Sequence, residues 1–273
     1  MLRSLIIFVV ITFCQCYLTA QSCRVPFSLS FSEQTTTSVK LRWFDINVNP
    51  LGWEIEIVRR GQTRTGNPSI PMVSAREVTL TSLIPGTAYE LYIRTVCTNT
   101  SKSAWNVAIP FITVLDIPLM CGSNIPLKDN GTEVLLLDVK QKGILGIDLF
   151  LESVDLIVAH NWPADLQLTL ESPQGQRVVL TNHNGVNKDD FGDITDTTCK
   201  KVTSFSPNAC ISLKDSKPPY IGAFKMDGDI SVWKPDTLSK GYWKLISYDR
   251  ALKDVGAIKY LNLKFNSVNC LAP

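Results

Sequence analysis

Apolar residues in this chain recur at every second position, and that period restricts the fold more than any other feature. Val39, Leu41 and Trp43 alternate with Lys40 and Arg42; Trp53, Ile55 and Ile57 alternate with Glu54 and Glu56; Tyr89, Leu91 and Ile93 alternate with Glu90, Tyr92 and Arg94. Successive side chains of an extended strand point to opposite faces, so each triple reads as a strand with one apolar and one solvated face. Turn formers separate the triples: Asn49-Pro50, Gly66-Asn67-Pro68 and Pro85-Gly86. Such strands bury their apolar rows only against another sheet, which predicts a β-sandwich. The alternation returns at Leu166, Leu168 and Leu170 and again at Leu261, Leu263 and Phe265, after a break near Asp116-Ile117-Pro118. The expected fold class is therefore all-β, with two β-sandwiches in succession. Between Asn182 and Pro219 the chain is polar and rich in Asn, Asp, Gly and Pro, which predicts a long loop region.

Charge and cysteine usage set the compartment and exclude several function classes. Lys and Arg number 27 against 25 Asp and Glu, a net charge of +2, far from the basic balance of a nucleic-acid binder. The two histidines, His160 and His183, are too few for most zinc sites and most histidine-based hydrolytic schemes. Residues 1–20 read as a secretory signal: Arg3 supplies the positive start, Leu5 to Phe13 the apolar stretch, and cleavage fits after Ala20. That stretch is too short to span a bilayer, and no later run reaches ~18 apolar residues. The mature chain is thus expected to be exported, secreted or at the cell surface, without a membrane span. Cys23, Cys97, Cys121, Cys199, Cys210 and Cys270 remain after the leader; an even count in an exported chain, without a C-x-x-C spacing, favours disulfides.

Each half carries a resemblance. Trp43, the run Leu83-x-Pro85-Gly86-Thr87-x-Tyr89, and the flanking Cys23-x-x-Pro26 and Val96-Cys97 near Ser103-x-Trp105 resemble a fibronectin type III module of exported bacterial multidomain proteins. The resemblance implies an immunoglobulin-like sandwich over residues 21–115, a tyrosine corner at Tyr89 and a Cys23–Cys97 disulfide. In the second half, His160, Asp165-Leu166, Ser172-Pro173-x-Gly175, Gly241-Tyr242-Trp243, Asp249, Asp254-x-Gly256 and Leu261-x-Leu263-x-Phe265 resemble the P domain (Homo B domain) of subtilisin-like proprotein convertases. That resemblance implies a jelly roll over residues 124–267, joined by a linker at 116–123, with no catalytic residues of its own; in convertases the domain packs on and stabilises a catalytic domain. Asn269-Cys270-Leu271-Ala272-Pro273 repeats the Cys-x-x-Pro of the first module and reads as the start of a further, truncated module over 268–273. Cys199 and Cys210 depart from the family in an enlarged loop and are expected to pair across it, leaving Cys121 open and Cys270 for the further module.

The candidate site residues each have two readings. Asp165, Asp249 and Asp254 lie at strand ends or turns, where carboxylates either coordinate calcium or cap turns. Asp189, Asp190, Asp193 and Asp196, near Asn184 and Asn187, have calcium-ligand types but no EF-hand spacing. His160 near Asp165 lacks a nucleophile and is read as structural, and Cys121-Gly122-Ser123 lacks the rest of a cysteine-protease signature. Trp162, Tyr220, Trp233 and Tyr242 form either a ligand surface or core packing.

The expected function is a non-catalytic interaction or stability segment of a secreted multidomain protein. Its expected partner is a protein, a cell-surface ligand or a catalytic domain of the full-length protein, with no nucleic acid; calcium is the one cofactor open. The alternatives are the accessory portion of a subtilisin-like serine endopeptidase whose catalytic domain lies outside this chain and, more remotely, a carbohydrate-binding module.

Overall fold

A computed structural model describes residues 22–185, 190–233 and 239–267. The leader, Asp189, Asn187, Cys270 and the expected further module lie outside the described residues. The first half contains β1 (Phe27–Ser32), β2 (Val39–Phe44), β3 (Gly52–Arg59), β4 (Ile70–Val73), β5 (Glu77–Leu80), β6 (Ala88–Val96) and β7 (Ile109–Ile112). They form a three-stranded sheet, β1-β2-β5, facing a four-stranded sheet, β4-β3-β6-β7. Val39, Leu41, Ile55, Leu91 and Ile93 are fully buried between them, the inward rows that the alternation predicts. Trp43 meets Trp53 edge-on at 5.4 Å in the same core. The Tyr89 hydroxyl accepts the Ile84 backbone N–H at 3.0 Å and ties the strand to its preceding turn, as the corner motif implies.

The second half contains β8 (Leu115–Asp116), β9 (Ile125–Pro126), β10 (Gly131–Val139), β11 (Leu149–His160), β12 (Leu166–Glu171), β13 (Arg177–Asn182), β14 (Thr203–Ser206), β15 (Gly222–Lys225), β16 (Gly241–Asp249) and β17 (Gly256–Ser267). They form two five-stranded sheets, β13-β12-β16-β10-β8 and β15-β14-β11-β17-β9. Leu135, Leu137, Leu156, Leu168, Leu170, Trp243, Leu245 and Leu261 are fully buried between them.

Two stretches differ from expectation. The region expected as one long loop contains β14, and Phe191, Phe205 and Leu213 descend from it into the second core and anchor the chain around them. Residues 116–123, expected as a linker, pack in part against the second sandwich. Leu115–Asp116 pair in parallel with Leu137–Asp138, the Leu119 N–H donates to the Leu261 carbonyl, and Leu119 is buried. The apolar residues at 115, 117 and 119 explain this, since an exposed linker would leave them in water.

The same segment joins the halves. Ala88 and Ile112 of the first sandwich belong to the second core. Gly86, at φ +54°, lies so close that a Cβ there would sit 3.3 Å from Leu119 Cδ1. The Pro85-Gly86 turn thus presses on the joint, and the Arg60 guanidinium approaches the Glu133 carboxylate at 3.8 Å across it.

Candidate functional site

The motif residues of the second half converge at one end of its sandwich. β11 delivers His160 and β16 delivers Asp249 from the facing sheet; both are buried. The Trp162 backbone N–H donates to His160 Nδ1 at 3.1 Å, so the ring proton sits on Nε2 and points to Asp249 Oδ2 at 3.3 Å. Asp249 Oδ1 accepts the Ala251 N–H, and Asp190 accepts the His160 backbone N–H. Both ring nitrogens are committed, so the imidazole has no free position from which to take a proton from a nucleophile. Gly256 explains the tight fit, because a Cβ there would lie 2.5 Å from His160 Cδ2. The pair staples the two sheets together and leaves beside it a cavity of about 250 Å³ lined by His160, Asn161, Trp162 and Asp190.

Two of the three calcium candidates are engaged by other side chains. Asp165 pairs with Arg250 at 2.9 Å, Asp249 holds His160, and Asp254 stands partly exposed in the turn before β17. Among the described residues no three His, Cys, Asp or Glu side chains gather as a metal-binding group. The acidic loop is likewise a set of local caps. Asp193 accepts from the Thr195 hydroxyl and backbone and from Lys201. Asp196 accepts from the Thr198 hydroxyl, which together with the Thr198, Lys200 and Lys201 backbone N–H groups holds its carboxyl far below the usual range. The aromatic candidates divide: Tyr220 and Trp233 are buried, with Trp233 packed edge-on against Trp243 at 5.3 Å, whereas Tyr242 is exposed and Trp162 is partly buried.

The disulfides are Cys23–Cys97 and Cys121–Cys199. The second corrects the expected Cys199–Cys210 pairing: the 190–202 loop folds back over the joint, where Cys121 Sγ also approaches the Asp196 carbonyl, and Cys210 is left as an exposed thiol. No spacing signalled this, because the two cysteines are 78 residues apart and meet only through the fold.

Sequence reasoning also missed a buried polar cluster in the first half. Asp45 accepts hydrogen bonds from Trp53 Nε1, the Thr95 hydroxyl, the Asn47 N–H and the Asn47 side-chain amide, all at 2.6 to 2.7 Å. Asn47 in turn binds the Arg24 backbone at both its N–H and its carbonyl, next to the Cys23–Cys97 bridge. The Asp-x-Asn step directly after β2 was the available sign. In the same sandwich the Arg64 and Arg94 guanidiniums lie over the Trp105 ring, at 5.2 and 4.4 Å from its centroid.

Residues 24–111 match the family model of the fibronectin type III domain, and residues 152–212 match that of the proprotein convertase P-domain. No curated protein matches the chain. Among solved structures, a computationally redesigned β-sandwich protein is similar at 24% identity over 32% of this chain and 92% of its own, with a TM-score of 0.28. A myokine is similar at 16% identity over 34% of this chain and 98% of its own, with a TM-score of 0.29.

Proposed function

Because the chain joins a fibronectin type III domain to a proprotein convertase P-domain, we propose that it is a non-catalytic interaction and stability segment of a secreted multidomain protein. The observation that carries this reading is the state of His160. The one buried histidine beside a carboxylate has both nitrogens occupied, and its partner is a structural clasp rather than a nucleophile. The disulfides suit an oxidising compartment, and no helix among the described residues is long and apolar enough to cross a membrane. The purified chain, incubated with casein and a fluorogenic dibasic peptide, is expected to give background hydrolysis only. Activity that follows the protein through purification and yields to a serine-directed inhibitor overturns the proposal. Residues 1–20 fused to a reporter enzyme are expected to export it, and cytoplasmic retention of the reporter removes the secreted part of the reading.

The P-domain match favours a second reading, in which the partner is a subtilisin-like catalytic domain outside this chain. On that reading, adding the purified chain raises the melting temperature of such a domain in a dose-dependent way; no shift at micromolar concentrations of both sets it aside.

A further inference from the structure

The end of the first sandwich opposite the Pro85-Gly86 turn holds a row of apolar side chains in water. β3 starts at this end, where Gly52 pairs with Val96, and finishes at Arg59, next to the joint. The 45–51 turn before β3 therefore lies at the free pole of this sandwich. Along it burial alternates: Asp45 and Asn47 turn inward, while Phe44, Ile46 and Val48 turn outward, Phe44 63% and Val48 73% exposed. Phe27, also exposed, pairs with Phe44 across β1 and β2, the rings 6.2 Å apart. Leu51 and Met72 are exposed at the same end, where a Cβ on Gly52 would lie 2.6 Å from Met72 Sδ. A scattered exposed apolar residue is ordinary, but a group of them at one pole is the kind of patch that marks a contact. The unmatched charges beside it are positive. Arg24 and Arg76 are both exposed: the Arg24 backbone is held by Asn47, between Ile46 and Val48, and the Arg76 carbonyl accepts the Trp43 N–H, next to Phe44. Among the described residues neither guanidinium pairs with a carboxylate. The carboxylates of this end are already matched, Glu77 by Arg42 at 2.8 Å, Glu54 by Arg94 and Lys102 at 2.6 and 2.7 Å, and Asp45 by its buried hydrogen bonds.

We propose that this pole seats on an anionic lipid surface, with Phe44, Ile46 and Val48 entering the acyl boundary and Arg24 and Arg76 meeting headgroup phosphates. Binding to such a surface has two parts, burial of apolar area and attraction of cations to the anionic headgroups, and the pole supplies both. The polar side chains of the turn favour lipid over a protein partner. Asp45 and Asn47 turn theirs inward to Trp53, Thr95 and the Arg24 backbone, so the ridge presents alkyl and aromatic groups rather than hydrogen-bonding ones. A fluid apolar phase asks for no directional partner, whereas a protein interface carries hydrogen bonds throughout its area. A second copy of this chain fits less well, because ridge against ridge brings the unmatched arginines together. The inference rests on the interaction role proposed above; the hydrolysis assay tests that role and is blind to this pole.

The test is co-sedimentation with vesicles of phosphatidylglycerol and phosphatidylcholine in equal parts at low salt, using the chain from Gln21 onward, without the apolar stretch Leu5 to Phe13 that would itself enter lipid. The chain is expected to sediment with these vesicles and more weakly with phosphatidylcholine alone. Phe44→Ser with Val48→Ser removes exposed apolar groups only and is expected to lower the partition by about tenfold or more. Arg24→Glu with Arg76→Glu is expected to lower it by about tenfold or more as well. Val255→Ser, at a comparably exposed apolar position of the second sandwich, is expected to leave it unchanged. All these variants are expected to melt near the native temperature, since every position is exposed. The proposal is overturned by equal partition of the native chain and the Phe44→Ser, Val48→Ser variant, or by equal binding to the neutral vesicles. Absence of sedimentation overturns it and leaves the ridge to a protein partner. A dimer of the free chain by light scattering, dissolved by Phe44→Ser with Val48→Ser, overturns it in favour of a second copy.

Discussion

Asp45 shows how a buried charge is kept in the first sandwich. Burial alone would raise its carboxyl, but the hydrogen bonds from Thr95, Asn47 and Trp53 outweigh burial and hold it below the usual range. A carboxyl depressed in the folded state stabilises that state above its unfolded pKa and loses the contribution as pH falls through the folded value. Denaturant melts are therefore expected to show stability declining below about pH 4, and Asp45→Asn to flatten that decline. At neutral pH, Asp45→Ala strands the Trp53 and Thr95 donors and is expected to cost about 2–3 kcal/mol. An unchanged melting temperature in Asp45→Ala would show that the cluster rearranges around water. The His160–Asp249 clasp follows the same logic, since either partner alone leaves a buried polar group without its mate.

At the scale of elements, the informative contact is between the end of β3 and the start of β10. Burial raises the Glu133 carboxyl more than Arg60 and Lys128 lower it, so the ionised form is the disfavoured one in the fold. A carboxyl raised in the folded state contributes stability below its unfolded pKa and loses it as pH rises through the folded value. Glu133→Gln is accordingly expected to melt at or above the native temperature at pH 7, with the difference vanishing near pH 4, where the native carboxyl is largely protonated. A clear loss at pH 7 would mean that the pairing with Arg60 outweighs desolvation. The Pro85-Gly86 turn belongs to the same joint: a side chain at Gly86 meets Leu119 and needs a left-handed φ.

For the whole molecule, the Cys121–Cys199 bridge fastens the segment between the sandwiches to the 190–202 loop. Closing a loop of that length removes unfolded-chain entropy worth about 4 kcal/mol on the chain-entropy account. Cys199→Ser is expected to lower the melting temperature of the second sandwich, seen as a separate earlier transition in calorimetry. Non-reducing peptide mapping is expected to link Cys23 to Cys97 and Cys121 to Cys199, and Cys210 to alkylate in the folded protein without reductant. A Cys199–Cys210 peptide would contradict the fold of the loop. With Asp165 held by Arg250 and Asp249 by His160, melting curves in millimolar calcium and in chelator are expected to coincide. A rise in calcium would place ligands that the described residues do not assemble.

The alternating rows at Val39–Trp43, Trp53–Ile57, Leu166–Leu170 and Leu261–Phe265 determined the sandwiches by themselves, because a strand's burial pattern is written locally at period two. The Tyr89 corner and the motifs around His160 were legible for the same reason: each is a short run whose geometry depends on near neighbours. Which cysteine met Cys199, what Asp165 and Asp249 faced, and whether residues 116–123 hung free depended on groups far apart in sequence. Those partners are brought together by the packing of one sheet on another, a free-energy balance over the whole core that no local period records.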